Sequence, residues 1–309
     1  MEEALKRILP APVLAAIESR LNYKKLFEIR LRAGHFASVN YGGKLYYLSS
    51  EGLCQMQANA IKICARSVHD TVVRASDFSL YAVNDQLKKG FITIKGGVRV
   101  GVAGEVVKEN SSIKTIKNFS SVNIRVPHEV IGCSDKVYSH CFGDRELNSC
   151  LIISAPGAGK TTILRDLARK LGDKEPRVSV LVVDERSELA AQHMGLSGLN
   201  VGVNSDIIAS GSKEYAFSAG IRTLAPDIII TDELASSEDA QAVAHAKASG
   251  VAVIASIHGK TVDDIKQKKG FLSLIEDKVF DRYIELSNRN GPGTIETIKD
   301  GELKVLWTL

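Results

Sequence analysis

The chain has 309 residues, 44% hydrophobic and 25% charged, the composition of an ordinary globular protein and enough length for two domains with separate cores. No apolar run approaches the roughly 18 residues of a membrane-spanning helix, and the acidic, amphipathic start lacks a charged-then-apolar leader, so a soluble, intracellular protein is expected. Net charge is +4, unevenly spread: residues 1–130 hold 19 Lys and Arg against 11 Asp and Glu, net +8, leaving 21 against 25, net −4, for the rest. Such asymmetry suits two units meeting in an assembly or a basic unit meeting phosphates, and equally a solvated basic face.

Residues 2–21 read as two short helices, the second starting near Pro12, whose fixed φ suits a first helical turn. Glu28-Ile29-Arg30-Leu31-Arg32 alternates as a half-buried strand does, and Gly42-Gly43 joins two further strands as a two-residue hairpin turn. Residues 51–66 and about 68–89 have helical spacing, the second ending at Lys88-Lys89-Gly90. Strand-like runs follow at Phe91–Ile94, Val98–Val107 and Ile113–Val126, broken by Gly96-Gly97 and by Asn110-Ser111-Ser112. Residues 1–126 are therefore expected to form an α+β domain, and 127–148, with Gly132 and Gly143, a linker. Five cysteines (Cys54, Cys64, Cys133, Cys141, Cys150) are odd in number and form no C-x-x-C pair. They read as buried reduced thiols, and Cys133, His140 and Cys141 lack the second ligand pair of a zinc site.

From Cys150 the pattern changes. Apolar strands at Leu151–Ser154, Val178–Val183, Asp227–Thr231 and Val251–Ile257 alternate with helices near 160–171, 213–224 and 236–249, as in a parallel sheet covered on both faces. Asp300-Gly301 closes the chain as a hairpin. This α/β unit, 149–309, opens on Ser154-Ala155-Pro156-Gly157-Ala158-Gly159-Lys160-Thr161-Thr162 between a strand and a helix. That is the context of a phosphate-binding loop, in which backbone N–H groups and a helix N-terminus face phosphate, a Lys reaches the β/γ-phosphates and a hydroxyl holds Mg²⁺. Ser154 stands where the motif has its first Gly. An ordinary glycine turn before a helix is the plain alternative.

Ligands of open α/β sheets bind beyond the carboxyl ends of the strands. Asp184-Glu185-Arg186, Asp232-Glu233 and His258 each follow the last apolar residue of such a strand. In the Asp232-Glu233 pair one carboxylate would steady Mg²⁺ and the next would orient the attacking water. Strand-end carboxylates also serve as helix caps or solvated loop residues, and a lone His is as readily structural. Phosphoryl transfer further wants an arginine at the developing charge. Arg222, Arg99 and Arg125 qualify, and the sequence leaves the choice open.

With these residues assembled, the chain resembles the secretion ATPase superfamily, the hexameric motors of type II and type IV secretion and of type IV pili. It is most similar to a sporulation branch of that superfamily in endospore-forming bacteria. The resemblance spans nearly the whole chain. It rests on the Walker A loop Ser154–Thr162, on Val182–Arg186, on Arg222 through Asp227 into Asp232-Glu233, and on Gly250–His258. In the first domain it rests on Glu28–Arg32, Gly90–Thr93, Gly96–Gly101 and Asn123–Pro127.

The resemblance implies an N-terminal α+β domain and a RecA-like P-loop motor domain, a homo-oligomeric ring, and ATP with Mg²⁺ held between the domains. It implies a cytoplasmic protein, peripheral to the inner membrane, that docks on a membrane channel complex between mother cell and forespore. Lys160 and Thr161 would serve the phosphates and Mg²⁺, Glu233 the water. Asp184, Glu185 and His258 would sense the γ-phosphate, with Arg99, Arg125 or Arg222 stabilising charge. Three features depart from the wider superfamily: Ser154, Asp232 where many secretion motors have Gly, and the absence of a docking domain or tetracysteine module. Two other readings stand beside this one. A nucleic-acid translocase would use the basic first half, although the chain lacks the basic-aromatic interleaving of single-strand platforms; nucleic acid is not an expected partner. A regulatory adaptor would bind nucleotide and hydrolyse little.

Overall fold

The computed structural model describes residues 1–109, 112–142, 147–175, 177–192, 195–209 and 211–309. The expected break at Asn110-Ser111 and the expected linker residue Gly143 lie outside these. The chain divides into two compact units, Met1–His128 with His193–Gly198, and Glu129–Gln192 with Leu199–Leu309.

The first unit begins with helices α1 (Glu2–Ile8) and α2 (Ala11–Arg20), the latter with proline in its first turn. Strands β1 (Leu26–Arg32), β2 (Ser38–Tyr41), β3 (Lys44–Ser49) and β4 (Gly52–Cys54) follow, then α3 (Ala65–Ala75) and α4 (Asn84–Lys88). Strands β5 (Phe91–Ile94), β6 (Val98–Glu109) and β7 (Ser112–Arg125) complete one antiparallel sheet in the order β4-β3-β2-β1-β7-β6-β5. Gly42 and Gly43 turn the β2–β3 hairpin at φ 59° and 83°, the left-handed pair such a two-residue turn demands. Ile29, Leu31, Val100, Val102, Val122 and Ile124 point to the buried face, as strand alternation requires.

Two helices expected in this unit come out differently. Of the expected helix 51–66 only Ala65 and Arg66 are α-helical, as the start of α3; Gly52–Cys54 pair with β3, and Met56 is 67% exposed. The pattern 68–89 is broken between α3 and α4, where Asp77 and Phe78 both take positive φ (48° and 63°). An ion pair from Arg7 to Asp77 (2.6 Å) and a bond from the Ser76 hydroxyl to the Val73 carbonyl (2.8 Å) hold that break.

The second unit starts with α5 (Asp135–Cys141), inside the stretch expected as a linker. Val137 and Cys141 of this helix are fully buried in the core of the second unit. Asp166 fixes it there by accepting from the Ser134 amide and hydroxyl at 2.9 and 2.7 Å. The remaining elements are β8 (Cys150–Ser154), α6 (Lys160–Gly172), β9 (Val180–Asp184), β10 (Ser205–Ala209), α7 (Lys213–Leu224), β11 (Ile228–Leu234), α8 (Ser237–Ala248), β12 (Ala252–His258), α9 (Val262–Lys266), α10 (Leu272–Glu276), β13 (Arg282–Ser287), β14 (Thr294–Asp300) and β15 (Val305–Thr308).

Strand order is β10-β9-β11-β12-β8-β13-β14-β15, parallel through β13 and antiparallel beyond. The central strands are buried on both faces. Ile152, Val182, Ile230 and Ile254 meet Leu164 and Leu167 of α6. Ile153, Leu181, Ile229 and Val253 meet Phe217 of α7 and Val243 of α8 on the other side. These two faces decide which strand-end side chains meet the loop between β8 and α6. Among the described residues no helix is long and apolar enough to cross a membrane. All five cysteines are free, but only Cys141 and Cys150 are buried and Cys64 is exposed, so the reading of all five as buried holds for two.

Candidate active site

The loop between β8 and α6 takes its shape from two glycines. Gly157 and Gly159 have φ 75° and 89°, a region L side chains rarely enter. A Cβ on Gly159 would also lie 2.9 Å from the backbone nitrogen of Gly293, whose amide donates to the Ala158 carbonyl at 2.9 Å. Gly159 therefore tolerates nothing larger. Lys160 begins α6 and is 7% exposed. Its ammonium donates to the Ser154 carbonyl (2.9 Å), the Ser154 hydroxyl (3.2 Å), the Ala155 carbonyl (3.2 Å) and Nδ1 of His258 (3.0 Å). Ser154, the departure from the motif, thus serves the lysine directly. Burial lowers the Lys160 pKa, with Glu233 opposing. The Thr161 hydroxyl has no hydrogen bond among the described residues.

His258 links two sequence-predicted residues. Because Nδ1 accepts from the Lys160 ammonium, the ring proton sits on Nε2, which faces Glu233 Oε2 at 2.9 Å. Arg186 Nη1 approaches the same oxygen at 3.3 Å, and the Lys268 ammonium holds the His258 carbonyl. Lys160, His258, Glu233 and Arg186 therefore form one continuous polar chain at the carboxyl ends of β8, β12, β11 and β9.

Glu233 reaches that chain through a β-bulge. Between the pairs Ile230↔Ile254 and Glu233↔Ser256, β11 spends one more residue than β12. In regular alternation Asp232 would share the α6 face with Ile228 and Ile230, and Glu233 would fall toward α7 and α8. The bulge exchanges them, as bulges beside functional sites commonly re-aim a side chain. Leu234 accordingly packs with Ile257 on the α7/α8 face.

Asp232, expected beside Mg²⁺, is consequently turned the other way. Asp232 is 5% exposed, with Lys213 Nζ 3.2 Å from Oδ1, and among the described residues neither carboxylate oxygen accepts a hydrogen bond. Burial pushes its pKa up to about 6; Lys213 opposes the rise, and Asp184 and Glu185 add to it. Lys213, 4% exposed, also lies 2.6 Å from Glu185 and 3.9 Å from Asp239. Burial depresses the lysine, but these three carboxylates outweigh it and raise its pKa. The ammonium is shared among three acids, so it is firmly gripped while each acid receives only part of its charge.

The other predicted residues separate. Asp184, expected to sense phosphate, is fully buried and accepts four backbone amides of its own following loop: Glu188 (2.8 Å), Leu189 (3.0 Å), Ala190 (2.9 Å) and Ala191 (3.1 Å). It is a loop anchor, the alternative role of strand-end carboxylates. Glu185 pairs with Lys213 rather than with the P-loop chain. Arg222 is exposed in the last turn of α7, nine residues and so roughly 13 Å along the helix from Lys213, at the edge where β11 begins. That edge is opposite the one carrying Lys160. Arg99 and Arg125 belong to the first unit, where they face each other across β6 and β7, with Arg99 3.7 Å above the Phe91 ring. Sequence reasoning gave no role to Arg186, Lys213 or Lys268. For Lys213 a signal existed, since it shares a helical stripe with Ala216 and Phe217, where a lysine needs acidic partners.

Comparison with known proteins agrees with this architecture. The crystal structure of the pilus retraction motor PilT with bound ADP superposes with TM-score 0.55 at 16% identity, covering 87% of this chain and 75% of that one. The Legionella pneumophila ATPase DotB gives 0.54 at 14%, covering 84% and 71%. At such identities the likeness is one of fold, and the fold is that of P-loop secretion ATPases. The stage III sporulation protein AA of Bacillus subtilis (strain 168) is 34% identical over 307 residues, 98% of this chain and 96% of that protein. The sequence profile described as "Sporulation stage III, protein AA" matches residues 2–306, and the chain belongs to that family.

Proposed function

We propose that the protein is a Mg²⁺-dependent ATP hydrolase that works as a ring-forming motor and energises a membrane-spanning, secretion-like channel during sporulation. The observation that carries the chemical part is the chain Lys160–His258–Glu233, which brings the P-loop lysine and a strand-end carboxylate to the two nitrogens of one imidazole. Lys160 neutralises β/γ-phosphate charge. Glu233 orients the attacking water and takes its proton, and the Nε2 proton of His258 fixes the carboxylate for that task. Mg²⁺ supplies charge neutralisation on the phosphates when bound. The unbonded Thr161 hydroxyl at the start of α6 fits it, whereas Asp232, turned toward α7, does not point there. The ring, its hexameric size and the membrane partner rest on likeness of fold and family.

Lys160→Ala is expected to abolish turnover while the fold survives, read by steady-state phosphate release and circular dichroism; parent-like hydrolysis would remove the site assignment. Sedimentation with and without ATP·Mg²⁺ tests the ring. A persistent monomer without turnover would leave the nucleotide-binding adaptor as the function.

A further inference from the structure

We propose that the buried Lys213–Asp232 pair is a clamp that holds the bulge in β11 and so aims Glu233 at His258. Neither residue touches the P-loop chain, so both are positioning residues.

Strand alternation would send Glu233 toward α7 and α8, and one extra residue between Ile230 and Glu233 sends it instead to the α6 face. A bulge forfeits regular pairing, and here the Thr231 hydroxyl and both Asp232 oxygens are buried without hydrogen bonds among the described residues. Something must repay that loss. Among the described residues, the side chain that compensates it is the ammonium of Lys213, 3.2 Å from Asp232 Oδ1.

Lys213 is well placed to act as a brace. It stands at the first residue of α7, whose N-cap Ser212 fixes the helix start through the Tyr215 amide. From there it reaches Glu185 beyond β9, Asp232 on β11 and Asp239 in the first turn of α8. Asp239 is itself fixed in a capping box with Ser236. Two strands and two helices therefore meet on one nitrogen. Were Asp232 to rotate back to the α6 face, Lys213 would be left among Glu185 and Asp239 and Glu233 would lose His258. An alternating strand with Gly before Glu would need no such counter-ion, and Lys213 and Asp232 explain one another as a pair.

The kinetic consequence rests on the hydrolytic reading above; the structural one does not. The test uses the full chain and three variants: Lys213→Arg, Lys213→Met, and Lys213→Met with Asp232→Asn. The single Met variant leaves a buried charge uncompensated and is expected to unfold readily. The double variant removes both charges and restores folding, checked by urea midpoint. The state of the bulge is read from the ¹⁵N imidazole signal of His258, assigned with His258→Gln. In the parent and in Lys213→Arg that signal should show a protonated Nε2 and an accepting Nδ1. In the double variant it should move toward mixed tautomers. Turnover there should fall about 10²-fold, the contribution of a positioned general base, with KM for ATP within about twofold. An unchanged His258 signal in the folded double variant overturns the clamp, whatever the turnover. If the signal moves but the parent itself hydrolyses no ATP, the clamp stands and the hydrolytic reading falls.

Discussion

Asp184 and Glu233 end neighbouring parallel strands of one sheet, and they are held in opposite ways. Asp184 is fully buried, with both oxygens taken by four main-chain amides of residues 188–191. Glu233 is held by the side chains of His258 and Arg186. Main-chain amides cannot leave without unfolding their loop, whereas an imidazole and a half-exposed guanidinium can exchange for water or phosphate. The difference teaches that a strand-end carboxylate is assigned by the partners that occupy it. Asp184 anchors the loop that follows β9, and Glu233 is left with exchangeable side-chain partners, as the role proposed for it requires.

The largest effect that would break this contrast is in stability. Asp184→Ala strips the acceptor from four amides, three of them on residues that are almost fully buried. At about 1–3 kcal/mol for each buried donor left unsatisfied, a loss of about 4 kcal/mol or more is expected, read as a fall in the urea midpoint. A parent-like midpoint would mean the loop stands without its anchor. Glu233→Gln should do the reverse. Its urea midpoint should stay near the parent's, because Gln still offers an oxygen to His258. Turnover should fall by about 10²-fold or more, as for loss of a positioned base. A variant that still hydrolyses ATP at the parent's rate would return Glu233 to the class of structural carboxylates.

The same contrast shows how far the sequence could be read. The parallel sheet and its helices were legible because continuous apolar runs such as Ile228–Ile230 separate amphipathic segments, and the P-loop because Gly157, Gly159 and Lys160 sit between strand and helix. The positions of Glu233 and His258 at strand ends were legible too. Their orientation was not. One residue of bulge reverses every face after it, and nothing local in Ile230-Thr231-Asp232-Glu233 announces it; only the distant Lys213 on an apolar stripe does. Asp184 was misjudged for a related reason, since its partners are amides, which no side-chain pattern encodes. In the first unit, residues 51–66 kept a helical spacing of apolar residues while strand pairing at Tyr47↔Cys54 took the backbone.

The smallest effect expected concerns pH, and it follows from the acid on the far side of the bulge. Burial raises the Asp232 carboxyl to about 6 in the folded protein, against 3.8 as the ordinary value. The folded state therefore keeps this proton to higher pH than the unfolded state does. With a raised carboxyl the stabilising contribution is greatest below pH about 4 and is lost as pH climbs through 6. Other groups titrate in the same window, so the measured quantity is the difference in unfolding free energy between parent and Asp232→Asn, which carries no titrating group there. That difference should turn against the parent between pH 4 and 6, at no more than about 1.4 kcal/mol per pH unit for one proton, and be flat from 7 to 9, where Asp232 is ionised and Lys213, itself raised, stays charged. A flat difference from pH 4 to 6 would mean that Lys213 fully compensates the carboxylate. A brace that fully compensated its acid would store none of the tension that distinguishes Asp232 from Asp184, and the two strand ends would then differ in geometry alone.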